Sequence, residues 1–140
     1  QHTEFGYNYR MTDISAAIGR EQLKKLPNFN ARRREIAERY NSELSDLVIT
    51  PKNRRGHVFH QYTIRSDKRD ELREFLLERK INTGIYYPSL LYTYPSMKEY
   101  QSSCPNAEIL VKEVLSLPVH PALSDSDVFE VISSIKAFFD

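Results

Sequence analysis

The sequence predicts an α+β fold, a small antiparallel β-sheet covered by helices, and three observations carry that prediction. Long stretches with helical spacing open the chain, short aromatic and β-branched runs then alternate with further helical stretches, and 140 residues suffice for one ordinary core. The predicted order is two helices, then strand, helix, strand, helix, strand, helix.

Residues 12–26 read as the first helix. Thr12 suits an N-cap, Asp13 suits the positive end of the helix dipole, and Ala16, Ala17, Gln22, Lys24 and Lys25 are strong helix formers. Its apolar residues keep to no single stripe: at ~100° per residue Ile14 and Ile18 share a side and Leu23 faces roughly opposite. We therefore expect this helix to be covered on more than one face. Pro27 cannot continue the hydrogen-bond ladder but is welcome at a helix start, so a second helix is predicted over 27–47. Phe29, Ile36, Ala37, Tyr40, Leu44 and Leu47 form its apolar stripe, and Arg32, Arg33, Arg34, Glu35, Glu38 and Arg39 read as a solvated face.

After a Pro-, Asn- and Arg-rich loop over 50–56, the dense aromatic and β-branched run 57–65 predicts a strand. Residues 68–79 return to helical spacing through Leu72, Phe75 and Leu76, and 81–87 predict a second strand that Pro88 ends. Five of the nine tyrosines fall between Tyr86 and Tyr100, interleaved with Pro88 and Pro95, in a stretch without a period. Such a loop either does something or lies against a partner. Residues 106–115 predict a short helix and 116–119 a short strand closed by Pro118 and Pro121. Ser124 then caps a last helix with Asp127 in its first turn and Val128, Val131, Ile132, Ile135 and Phe138 or Phe139 on its apolar side.

Composition excludes several classes of function. The chain is 40% apolar and 28% charged, ordinary for a water-soluble domain, and 20 Lys and Arg against 19 Asp and Glu leave a net charge of +1. Near-neutrality supplies no global attraction to nucleic acid or to anionic lipid. No apolar run approaches the ~20 residues of a membrane span. A single cysteine, Cys104, leaves no intramolecular disulfide and no cysteine-based zinc cluster, which fits the cytoplasm. The chain opens abruptly into patterned sequence without an initiator Met, so it reads as the C-terminal part of a longer protein, with 1–47 linking to a missing larger domain and 57–140 forming the sheet region.

Chemistry-bearing motifs are few. There is no G-x-S-x-G, H-E-x-x-H, Walker loop or G-x-G-x-x-G, and four glycines give little material for a phosphate cradle. A strand places His57 and His60 on opposite faces, so they read as ordinary strand histidines and no metal site is expected. His120, between Val119 and Pro121, reads as a hydrogen-bonded turn residue. Residues 6–13 are the exception, crowding a turn glycine, Asn8, Arg10, Tyr7 and Tyr9 just before a helix N-terminus. Amide, guanidinium and helix N–H groups all donate to phosphate or carboxylate oxygens. The same residues would equally pin the chain's approach to the helix, and residue types leave both roles open.

Residues 6–23, GYNYRMTDISAAIGREQL, closely resemble the segment that follows the cofactor domain in the DegT/StrS (DegT/DnrJ) sugar aminotransferases. The likeness continues in order through Arg33, Arg34, Ile36, Ala37 and Tyr40, through 57–60 and 69–72, through Ile81, Thr83, Gly84, Ile85, Tyr87 and Pro88, through 105–108, and through 115–118 with His120 and Pro121. This resemblance implies a pyridoxal-phosphate enzyme of the aspartate aminotransferase fold (fold type I), working as a homodimer with shared active sites. It implies that Asn8, with Arg10 beside it, reaches the cofactor phosphate of the opposite subunit. It also implies that the chain is the C-terminal domain of an enzyme moving an amino group, from a donor such as glutamate, to a nucleotide-linked keto sugar. The family's catalytic lysine lies upstream of Gly6, so the chain alone is expected to be inactive and no residue in it is assigned a catalytic role.

The sequence departs from the family pattern where many members have histidine, placing Tyr86 and Tyr92 in the loop that lines the sugar side of the site. Tyrosine keeps a hydrogen-bonding tip but is no base near neutral pH, so both are expected to bind substrate rather than move protons. The competing expectation is a stand-alone interaction or regulatory module that has kept the fold and lost the enzyme.

Overall fold

The computed structural model describes residues 4–7, 9–100 and 102–140, apart from the side chain of Lys98. Helix α1 runs unbroken over Asp13–Leu44, 32 residues with Pro27 inside it. The expected break at Pro27 does not occur. Pro27 withdraws one N–H from the ladder, but Leu23, whose carbonyl would have accepted it, is 66% exposed, so water can satisfy that oxygen. Thr12 caps α1 as anticipated, its Oγ1 accepting from the Ser15 N–H at 3.2 Å.

The rest follows as β1 (Tyr62–Arg65), α2 (Arg69–Glu78), 3-10 turns over Leu91–Thr93 and Pro95–Tyr100, α3 (Pro105–Glu113), β2 (Val114–Leu117) and α4 (Asp125–Phe139). β1 and β2 are antiparallel, pairing Tyr62 with Leu117 and Ile64 with Leu115. Single antiparallel bridges extend this pair on both sides, Ile49 to Arg65 and Gly84 to Ser116. The predicted α+β class with a small antiparallel sheet is the one observed.

Several boundaries move for local reasons. The strand expected over 57–65 starts only at Tyr62, because Phe59 has φ 47° and turns the chain in the left-handed region. His57 and His60 are therefore not strand residues. The strand expected over 81–87 contributes only the Gly84 bridge. β2 begins at Val114, two residues that were expected to end the preceding helix having joined the strand, and it stops at Leu117 because Pro118 has no N–H to offer. α2 ends in a Schellman motif: Lys80 (φ 61°) donates its N–H to Leu77 O at 2.8 Å and Ile81 to Leu76 O at 2.9 Å. Lysine there takes a conformation that glycine adopts more cheaply.

The core lies between one face of the sheet and helices α1, α2 and α4. Tyr62, Ile64, Leu115 and Leu117 line that sheet face and meet Ile36, Tyr40 and Leu44 of α1, Leu72 and Leu76 of α2, and Val128, Ile132 and Ile135 of α4. Its two buried phenols are satisfied: the Tyr40 hydroxyl donates to the Pro118 carbonyl at 2.9 Å and that of Tyr62 to Asn41 Oδ1 at 2.6 Å. Burial raises both above the ordinary phenol pKa, so they stay protonated donors. On the opposite sheet face, Thr63 and Ser116 join hydroxyls at 2.8 Å. Buried Arg69 ties the start of α2 to the Val111 and Val114 carbonyls.

Part of the arginine-rich face of α1 is a staple rather than a solvated surface. Arg32 donates to the Leu123 carbonyl and to Asp125 Oδ1, both at 2.8 Å, and Arg39 reaches the same carboxylate at 3.2 Å, fastening α1 to the start of α4. The predicted cap of α4 is a full capping box between Ser124 and Asp127.

These contacts set a direction for the pH dependence of stability. Hydrogen bonds from Arg32, Lys136 and Ser124, respectively, hold Asp125, Glu43 and Asp127 below the usual carboxylate pKa. A carboxylate depressed on folding stabilises the fold above its unfolded value of about 4, and that contribution is lost as pH falls through the folded value. We expect the melting temperature to drop as pH is lowered from about 5 to about 2, and Asp125→Asn to flatten that decline. A calorimetric pH series on the two proteins checks this; equal slopes would contradict it.

Candidate functional site

Two grooves meet at Tyr86. One, of about 420 Å³, is lined by both Tyr86 and Tyr92 with Tyr87, Leu90, Cys104 and Leu110 among its walls. The two tyrosines predicted to bind substrate are thus brought together, between the 86–100 loop and α3. Tyr92 is held by α3, its hydroxyl donating to Glu108 Oε1 at 2.8 Å. Partial desolvation, then the Glu108 carboxylate, raises the Tyr92 pKa, so the phenol remains a neutral donor. Glu108, in the first turn of α3, belongs to the stretch 105–108 that carried the family likeness but was given no role there.

Gly84 is required where the loop leaves the sheet. A Cβ there would lie 2.5 Å from the Tyr86 ring, so only glycine lets that ring lie against the backbone between the two grooves.

The second groove, of about 440 Å³, also includes Tyr86 in its wall and is lined by Arg33, His60, Asn82 and His120 among others. Spacing along the chain gave no hint of it, because those four side chains come from four separate segments. His120 has the hydrogen-bonded turn role expected of it: its Nδ1 accepts the Ala122 N–H at 3.1 Å. His57 lies apart, its Nδ1 accepting the Phe59 N–H at 2.9 Å.

Of the candidate anion ligands, Asn8 lies outside the described residues. Arg10 is exposed on the approach to α1 and lines neither groove. Among the described residues no group of three His, Cys, Asp or Glu side chains could hold a metal ion, and no helix is long and apolar enough to cross a membrane.

Over residues 1–136 the chain matches the model of the DegT/DnrJ/EryC1/StrS aminotransferase family. The chain belongs to that family. Among its curated relatives are a pleiotropic regulatory protein of Geobacillus stearothermophilus, 41% identical over 99% of this chain and 40% of that protein, and the GDP-perosamine synthase of Escherichia coli O157:H7, 38% identical over 99% and 39%. A Brucella abortus aminotransferase of the same family superposes with a TM-score of 0.89 at 35% identity, across 99% of this chain and 39% of that one. The Bacillus subtilis protein ntda, solved with bound cofactor PMP, superposes at 0.87 with 25% identity, across 99% and 35%. The chain therefore spans about two fifths of the length of the relatives it matches.

The chain's residues fit a pyridoxal cofactor as contributors and not as its whole site. An exposed guanidinium and a helix N-terminus are the right donors for its phosphate. Among the described residues, however, no lysine lines either groove at Tyr86 to bind its aldehyde.

Proposed function

We propose that this chain is the C-terminal domain of a cytoplasmic, pyridoxal-phosphate-dependent aminotransferase that passes an amino group, from a donor such as glutamate, to a nucleotide-linked keto sugar. The observation that carries this reading is the family match over nearly the whole chain, strengthened by its 38% identity with a GDP-sugar enzyme. The cofactor, when bound, supplies the carbonyl that carries the amino group between donor and acceptor and the electron sink that acidifies the reacting carbon.

Asn8 and Arg10 would hold the cofactor phosphate of the opposite subunit of a homodimer. Tyr86 and Tyr92 would orient the sugar through their phenolic tips, and the apolar walls between them would exclude water from its ring. Residues 1–47 would link to the larger domain, with 57–140 as the sheet region. The first half of α1 supports this placement, since Ile14, Ile18 and Leu23 are 76%, 59% and 66% exposed. On this reading the larger domain and the partner subunit cover them.

The 140-residue chain alone should neither retain pyridoxal phosphate through gel filtration nor transaminate. The full-length protein should show the bound cofactor's visible absorption and release 2-oxoglutarate from glutamate when given a nucleotide-linked keto sugar. A stoichiometric cofactor band on the chain alone, or a full-length protein with neither band nor turnover, would sink the proposal.

A further inference from the structure

We infer that the groove between Arg33, His60, Asn82 and His120 is a binding site for a compact oxyanion, a carboxylate or a phosphate group. Among the described residues its lining includes no Asp or Glu and one formally charged side chain, Arg33, which sets the sign of the field there. Arg33 is half-buried and makes no hydrogen bond or ion pair with any described residue, while Arg32 and Arg39 on the same helix are both committed to Asp125. Drawing a guanidinium part-way out of water without a counter-charge costs stability, and an arriving oxyanion recovers that cost through a forked hydrogen bond.

The remaining polar groups agree. Because His120 Nδ1 accepts a backbone N–H, the proton of the neutral ring sits on Nε2, leaving a donor. His60 has no hydrogen-bond partner among the described residues, and the Gln61 and Asn82 amides add further donors to the lining. These groups come from α1, the turn before β1, the loop after α2 and the turn after β2, and a fold that brings donors from four segments to one concavity has the form of a ligand site. Tyr86 lines this groove and the tyrosine groove alike, so one molecule could seat its anionic head beside Arg33 and its body beside Tyr92. The inference stands on this geometry and is independent of the aminotransferase reading.

The core that holds the four segments lies wholly within the 140 residues, so the chain itself is the object to test. Histidine ring resonances would be followed by NMR at constant pH during separate titrations with inorganic phosphate and with glutarate. The expected result is a saturable shift of His60 and His120 while His57, outside the groove, stays still. Arg33→Gln should weaken the apparent affinity by about tenfold or more, with an unchanged circular dichroism spectrum. Saturation with phosphate alone assigns a phosphate group, with glutarate alone a carboxylate, and with both a general oxyanion site. If Arg33→Gln does not fold, His120→Ala should give the same loss of affinity. No saturation with either probe, an equal shift of His57, or affinity untouched by the substitutions would overturn the inference.

Discussion

Leu115→Ala should destabilise the chain by about 2 to 5 kcal/mol, the range for truncating a fully buried leucine. Leu115 has no exposed surface and sits opposite Ile64 in the centre of the two-stranded sheet, facing α2 and α4. A sheet this narrow cannot collapse around the void, because its register is pinned by the bridges at Ile49 and Gly84 on both sides. Against a typical domain stability of about 5 to 15 kcal/mol this is a large fraction. Leu91→Ala, at a position 73% exposed, should change stability by no more than about 0.5 kcal/mol. Urea denaturation of both variants decides it; comparable losses would mean that the core is elsewhere.

In the full-length protein, Asn8→Ala should weaken cofactor retention by about 1.5 to 3 kcal/mol, the net value of one hydrogen bond to a charged group, and leave the fold intact. The sharper version uses two inactive partners, one lacking the catalytic lysine that the proposed function assigns to the larger domain and one carrying Asn8→Ala. If Asn8 serves the opposite subunit, each mixed dimer has one site with both groups intact, and mixing should restore part of the activity. Mixed dimers that assemble and stay inactive would place Asn8 in the service of its own subunit or of the α1 cap.

How much of this was legible in the sequence varied with the kind of signal. The capping box at Ser124 and Asp127 and the apolar stripe of α4 are local patterns, and local patterns were enough. The break expected at Pro27 failed because an exposed helix can leave one carbonyl to water, a matter of burial that no propensity reports. The early strand failed at Phe59, whose positive φ is a tertiary demand on a residue type that ordinarily avoids it. Tyr86 and Tyr92 were found through a family likeness, and they share a groove. Arg33, His60 and His120 were each passed over as site residues, one in an arginine-rich run, one as a strand histidine and one as a turn residue, because only the folded chain brings side chains up to 87 positions apart into one concavity.

Helix α1 is also a rigid arm. Its last third is built into the core through Ile36, Tyr40 and Leu44, while its first half leaves that core entirely. At 1.5 Å per residue the stretch from Asp13 to Phe29 projects roughly 24 Å. Anything that grips the tip therefore sets the attitude of the whole body, and a pivot of about 10° at the base sweeps the tip through about 4 Å. The two tyrosine-bounded grooves ride on the body end of that arm, so their aim follows the angle at its base.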